Sequence, residues 1–95
     1  MNREELRDKT HKAINKLFDQ LEELDGKKDD LSQKAKEEYA ELREKMLKKK
    51  AEMEVKLKEL ESTSDEKIEE LKIALDKSAV VAKEAFATIK SHFKK

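Results

Sequence analysis

The 95-residue sequence contains no cysteine, no proline, no tryptophan and only one glycine. The absence of cysteine excludes a disulfide framework, a thiolate nucleophile and a Cys-ligated zinc site. A single glycine is too few for a Gly-rich phosphate loop or a dinucleotide-binding turn. Because proline is the residue most unfavourable inside a helix, its absence leaves very little in the chain that would interrupt helical structure.

Charged residues make up 48% of the chain and apolar residues only 36%. The 23 basic and 23 acidic residues cancel, so the formal net charge is zero. Nucleic-acid-binding proteins usually have a basic excess, and we therefore expect no nucleic-acid partner. No apolar window is long enough to span a bilayer, and the acidic N-terminus is unlike a signal peptide. These features predict a cytoplasmic protein.

Apolar residues recur every three or four positions along the chain, which is the pattern of amphipathic helices. The first helix is expected to begin at Asn2 and Glu5, whose spacing is that of an N-terminal capping box. An apolar stripe follows over 6–24. A second, narrower stripe over 31–60 is typical of a helix that contacts one neighbouring helix rather than several.

The segment Ser-Thr-Ser-Asp at 62–65 is the clearest interruption of these stripes. Its hydroxyl and acidic residues have capping-box spacing, and they predict a turn followed by a last helix over about 65–93. The main apolar face of this helix consists of Ile68, Leu71, Leu75, Ala79, Ala82, Ala85, Phe86, Ile89 and Phe93. A second, thinner stripe of Ile73, Val80 and Ala87 lies on the opposite side of the helix.

Gly26 lies between the first two stripes and leaves two chain paths open. It could end a first helix, with Asp30 as the N-cap of the next. The stripe keeps its phase across the glycine, however, and this favours a continuous helix over 3–61 with a kink or local fraying at the glycine, a possible interruption being placed at 25–30. The favoured fold is an all-α antiparallel hairpin or coiled coil, a single domain over 1–95. The alternative is a compact three-helix bundle with a break at Gly26.

In the hairpin, the last helix covers only residues 31–61, and the apolar stripe over 6–24 stays uncovered. Such a stripe predicts self-association, since burying apolar surface favours association. The residues expected to carry this interaction belong to the main apolar stripes. They are Leu17, Leu21, Leu24, Leu42, Leu60, Leu71, Leu75 and Phe86.

The titratable residues show no pattern that indicates catalysis or metal binding. His11 and His92 are the only histidines, and they lie at opposite ends of the sequence. Asp8 lies one helical turn from His11, but a metal site needs more ligands than this pair. The carboxylate clusters are interspersed with lysines, as is typical of solvated helix surfaces. We therefore expect no enzymatic activity, no cofactor and no metal site.

Several segments resemble those of small bacterial hydrophilic coiled-coil proteins, which are often classed as stress-response or uncharacterised proteins. These segments are Ala-Lys-Glu-Glu-Tyr-Ala-Glu-Leu-Arg-Glu-Lys at 35–45, the turn at 62–65, Glu-Glu-Leu-Lys at 69–72 and a Lys-Glu-Ala-Phe…Phe-Lys tail at 83–94. Ile68 stands where these proteins commonly have a tryptophan. The resemblance implies a helical coiled coil with no catalytic or binding residues to carry over.

The leading functional hypothesis is a non-enzymatic interaction or scaffold protein that self-associates through its amphipathic helices, with a stress-related role implied by the resemblance. An alternative is a peripheral lipid-binding protein, because the C-terminal helix is apolar and mildly basic and could lie on an anionic membrane. A holdase-like chaperone is a further alternative. The expected partners are accordingly a second copy of the chain, another protein or a membrane surface.

Overall fold

The computed structural model describes residues 2–93, which form three helices joined by two short turns. The helices are α1 (Arg3–Asp25), α2 (Gln33–Ser62) and α3 (Ile68–His92). Single 3₁₀ turns at Lys28–Asp30 and Asp65–Lys67 precede α2 and α3. No strand occurs within the described range, and the all-α class predicted from the sequence is confirmed.

Contacts near the helix ends define the direction of each helix. Arg3, at the start of α1, donates a hydrogen bond to the backbone carbonyl of Leu60 near the end of α2, so α1 and α2 are antiparallel. Tyr39, near the start of α2, packs edge-to-face on Phe93 just after α3, with ring centroids 6.1 Å apart. The α2 and α3 helices are therefore antiparallel as well, and α1 runs parallel to α3.

The favoured continuous helix over 3–61 is not observed, and the chain follows the alternative path with a break at Gly26. Gly26 is the C-cap of α1, and its N–H donates to the carbonyl of Glu22. Leu31 and Ser32 then adopt extended backbone, with ψ of 151° and 163°, through which no helix can continue. The chain turns back over these residues.

The preserved phase of the apolar stripe across Gly26 does not require a continuous helix. Each helix of a bundle must turn its apolar face toward the same central axis, so a preserved phase is compatible with either path. The reversal also changes the dimensions of the molecule. The bundle measures 49 × 17 × 17 Å, whereas a continuous helix of some 60 residues would be about 90 Å long.

Local hydrogen bonds determine where α1 and α2 begin. The Oδ1 atom of Asn2 accepts a hydrogen bond from the Glu5 N–H at 2.8 Å, which confirms the predicted N-cap of α1. For α2, the Oγ atom of Ser32 accepts from the Ala35 N–H at 3.2 Å. Asp30 lies earlier, in the 3₁₀ turn, and the proposal that it caps this helix is therefore wrong.

One apolar core runs along the bundle axis, and every helix contributes to it. All residues predicted for the main face of α3 are buried in this core or packed against it. The α2 and α3 helices pack more closely with each other than α1 packs with either. The largest fully buried side chains are Leu6, Leu21, Met46, Met53, Leu60, Leu75 and Ile89.

Candidate interaction surface

The residues predicted to carry self-association lie mainly inside the bundle. Leu24 and Leu42 are partly buried against the core. The inference that the stripe over 6–24 stays uncovered is wrong for this fold, because α2 and α3 cover it. An interaction through the predicted residues stays a prediction, and it requires the bundle to open. The buried members of the set are Leu17, Leu21, Leu60, Leu71, Leu75 and Phe86.

Large apolar side chains nevertheless remain on the surface of the described chain. Leu47 and Val55 lie on α2, and Ile73 and Val80 lie on α3. Ile73 is 48% exposed and Val80 is 52% exposed. Ala87, which is also exposed, continues the same line one heptad further along α3. We call Ile73, Val80 and Ala87 the α3 stripe, and its exposure confirms the second stripe predicted for this helix.

Exposed charged residues flank the α3 stripe on both sides. At 100° per residue, Asp76 and Lys83 lie on the flank that faces α1, and Lys77 and Glu84 lie on the other. The Asp76 carboxylate contacts Lys72 Nζ at 3.3 Å within α3. Each flank therefore carries one acid and one base, seven residues apart.

A cleft between α1 and α3 lies beside the α3 stripe and shares Ala87 with it. Its charged lining residues are Lys16, Lys83 and Lys90, and no carboxylate lines it. Four other clefts on the described surface each have both a cation and a carboxylate in their lining. We call this one the lysine cleft. It is lined by Ala13, Lys16, Leu17, Gln20, Lys83, Phe86, Ala87 and Lys90.

The lysines of this cleft form no ion pair with a carboxylate of the described residues. Lys90 instead places its Nζ atom 5.8 Å from the centroid of the Phe86 ring, a cation–π distance. Lys16, Lys83 and Lys90 are all exposed. The cleft therefore combines an apolar floor with cations that form no ion pair among the described residues, and it would accept a ligand that carries both apolar groups and carboxylates.

Arg3 binds the turn between α2 and α3 at one end of the bundle. Its guanidinium donates to the carbonyls of Leu60 and Thr63, the latter at 2.7 Å, and contacts the Asp65 carboxylate at 3.0 Å. Helix C-termini leave carbonyls without partners in the helix, and Arg3 supplies donors to them. The capping box predicted at 62–65 does not form, since no side-chain hydrogen bond caps the turn or α3.

Polar contacts at the opposite end of the bundle also join helices. Arg43 Nε donates to the carboxylate of Asp25 at 3.1 Å, which links α2 to α1. His92 Nε2 lies 3.1 Å from the Glu38 carboxylate, which links α3 to α2. The Tyr39 hydroxyl is buried and has no hydrogen-bond partner in the described part of the chain. These contacts are pairwise and tie the helices together.

The two histidines do not come together, because His92 lies near Leu24 at the end of α1, whereas His11 lies in the first half of α1. Over residues 2–93, no group of three or more His, Cys, Asp or Glu side chains has the geometry to hold a metal ion. None of the described helices has an apolar stretch long enough to cross a membrane.

Comparisons with protein-family models, curated proteins and solved structures gave no match.

Proposed function

We propose that this chain is a non-enzymatic helical interaction protein that binds a helix of its partner through the α3 stripe. The observation that carries the proposal is the exposure of Ile73 and Val80, about half of each side chain, on one line of α3. Exposed apolar surface favours association, and the α3 stripe supplies one apolar residue per heptad, where a full two-helix seam has two.

The charges beside the stripe support a helical partner. In paired helices, residues that flank the apolar seam form ion pairs between the helices, and these pairs determine partner choice and orientation. Asp76, Lys77, Lys83 and Glu84 occupy such flanking positions and are exposed. A partner helix would therefore meet an apolar seam with acids and bases on both sides.

Site-specific photo-crosslinking in cells that express the chain tests this proposal. A photoreactive amino acid at position 80 should give a discrete covalent adduct, because docking brings partner side chains within reach of this position. Position 55 is the matched control, since Val55 on α2 is 56% exposed and Val80 is 52% exposed. No discrete adduct from position 80, or the same adducts from both positions, would contradict the proposal.

The scaffolding role, the stress-related role implied by the resemblance and the cytoplasmic location stay predictions. Membrane binding through the main apolar face of α3 requires the bundle to open, because Phe86 is only 7% exposed. Flotation of the chain with anionic vesicles would favour that function. Suppressed aggregation of a heated test protein at near-stoichiometric ratio would favour a holdase.

A further inference from the structure

We infer that the helix that docks on the α3 stripe is α3 of a second copy of this chain, antiparallel to the first about a two-fold axis at Val80. This inference rests on the proposed function, since it names the partner of the same surface. It follows because this surface is complementary to itself. The complementarity is seen in the apolar residues of the stripe, in the charged residues that flank it and in the lysines of the cleft.

The apolar residues match across such an axis. In an antiparallel pair centred on Val80, a residue that precedes Val80 faces the residue of the second copy that follows Val80 by the same number of positions. The two Val80 side chains therefore meet at the axis. Ile73 precedes Val80 by seven positions and Ala87 follows it by seven, so each Ile73 faces the second copy's Ala87. A large residue thus meets a small one on both sides of the axis.

The flanking charges match as well. In this arrangement each flank of α3 faces the same flank of the second copy. The two-fold axis reverses the direction of the helix but leaves equivalent flanks on the same side of the interface. Asp76 then faces the second copy's Lys83, and Lys77 faces the second copy's Glu84. Each pair lies within one residue of the register set by Val80, a displacement of about 1.5 Å along the helix. Symmetry repeats both pairs.

The lysine cleft adds one further charge pair to this argument. Lys83 and Lys90 line a cleft that has no carboxylate of its own. In the antiparallel pair, Lys83 meets the second copy's Asp76, and Lys90 meets the second copy's Glu69, which is exposed in the first turn of α3. The second copy therefore supplies the carboxylates that the cleft lacks.

A parallel pair is less favourable. It also places Asp76 near the second copy's Lys77, but it brings the acidic first turns of both α3 helices together, with Glu69 and Glu70 of each copy adjacent. Like charges at such distances repel. The antiparallel pair places each acidic start next to a basic end, and it aligns the two helix dipoles favourably. The direction of the pair follows from this difference.

The interface is small, because three apolar residues of each copy form its centre. Interfaces below about 1,200 Å² are typical of weak, transient complexes. We therefore expect a dimer with a dissociation constant on the order of 100 µM. Measurements must extend to about ten times this concentration to populate it.

Sedimentation equilibrium of the full chain tests the dimer. For the wild type, the mass should rise with concentration from 11.1 kDa toward twice that value. The V80E variant should stay monomeric, because it places carboxylates at the apolar centre, and the V55E control should dimerise like the wild type. Circular dichroism establishes that both variants keep their helices. A wild type that stays monomeric, or equal dimerisation by V80E and V55E, would overturn the inference.

A charge exchange tests the antiparallel direction. K77E and E84K should each weaken the dimer several-fold, because each places like charges opposite one another. The K77E/E84K double variant should dimerise like the wild type in an antiparallel pair, since the exchange preserves the ion pair. In a parallel pair, Asp76 would face the acid introduced at position 77 of the second copy, and Lys83 would face the base introduced at position 84. Dimerisation of the double variant would then not recover. Failure to recover would contradict the antiparallel arrangement.

The crosslinking experiment separates this inference from the proposed function. An adduct of position 80 with twice the mass of the chain supports both. A discrete adduct of any other protein mass overturns the inference and leaves the proposed function standing. Chain that stays monomeric but floats with anionic vesicles, with no protein adduct from position 80, overturns both.

Discussion

The guanidinium of Arg3 lies 3.0 Å from the carboxylate of Asp65, although 62 positions separate the two residues in the sequence. The contact joins the start of α1 to the turn between α2 and α3. It therefore brings all three helices together at one end of the bundle. Because α1 packs less closely than the other two helices, we expect its position to depend strongly on such contacts at its ends.

Replacing Arg3 by alanine should lower the free energy of unfolding by about 1–3 kcal/mol, because the carbonyls of Leu60 and Thr63 lose a charged donor. The ion pair itself contributes little, since the Asp65 side chain is 91% exposed. Urea denaturation at micromolar concentration measures the change. R7A is the control. Arg7 is exposed, and its ion pair within the described residues is with its chain neighbour Asp8, at 3.5 Å, so its loss should cost less than about 0.5 kcal/mol. Equal losses would contradict the capping role of Arg3.

The G26A variant should fold as the same compact bundle, with a free energy of unfolding that is unchanged or raised by up to about 1 kcal/mol. Gly26 has φ of −67°, which alanine adopts readily, and an added Cβ would meet only the Glu23 carbonyl, at 3.4 Å. Urea denaturation and small-angle scattering provide the measurements. A scattering curve from a rod of about 90 Å would show that the glycine is what prevents a continuous helix.

The Y39F variant should be as stable as the wild type or slightly more stable. The Tyr39 hydroxyl is buried without a partner, and a buried polar group without a hydrogen bond is unfavourable. The Y39A control removes the ring that packs on Phe93 and should cost about 3–5 kcal/mol. Thermal unfolding compares the two. A loss of more than about 1 kcal/mol in Y39F would reveal a hydrogen bond to the hydroxyl.

Truncation of a core residue and of an α3 stripe residue should have very different effects on the monomer. L21A should lower the free energy of unfolding by about 2–5 kcal/mol, because Leu21 is only 2% exposed. V80A should change it by no more than about 0.5 kcal/mol, because Val80 is 52% exposed. Urea denaturation below the concentration of dimer formation measures both. A comparable loss in V80A would mean that the stripe is covered within the chain.

Local signals in the sequence predicted some local features correctly, although the caps predicted at Asp30 and at 62–65 do not form. The cap at Asn2 depends on residues three apart, and the hydrogen bond of Glu5 to Asn2 confirms it. The two faces of α3 depend only on helical periodicity, which correctly separated the buried face from exposed Ile73 and Val80. Such features are set within one or two helical turns, so the sequence is sufficient to find them.

The path of the chain and the contacts between distant residues were harder to predict. Periodicity indicates which residues of a helix share its apolar face, but it does not indicate whether the chain reverses between two helices. For this reason the sequence favoured a continuous helix over a break at Gly26. Six of the eight predicted interaction residues proved to be core residues, because the reversal supplies their cover within the chain. No local sequence pattern indicates the Arg3–Asp65 contact, because these residues are 62 positions apart and meet only in the folded bundle.

The parallel arrangement of α1 and α3 has a mechanical consequence. Asn2 lies beside Ile68 at one end of the bundle, and Phe93 lies beside Leu24 at the other. A pulling force applied between residues 2 and 93 would act along the bundle and slide the helices past one another in shear. Shear loads many side-chain contacts at once, whereas peeling breaks them in succession. A chain inserted by these two points into a longer assembly would thus serve as a stiff spacer of about 49 Å.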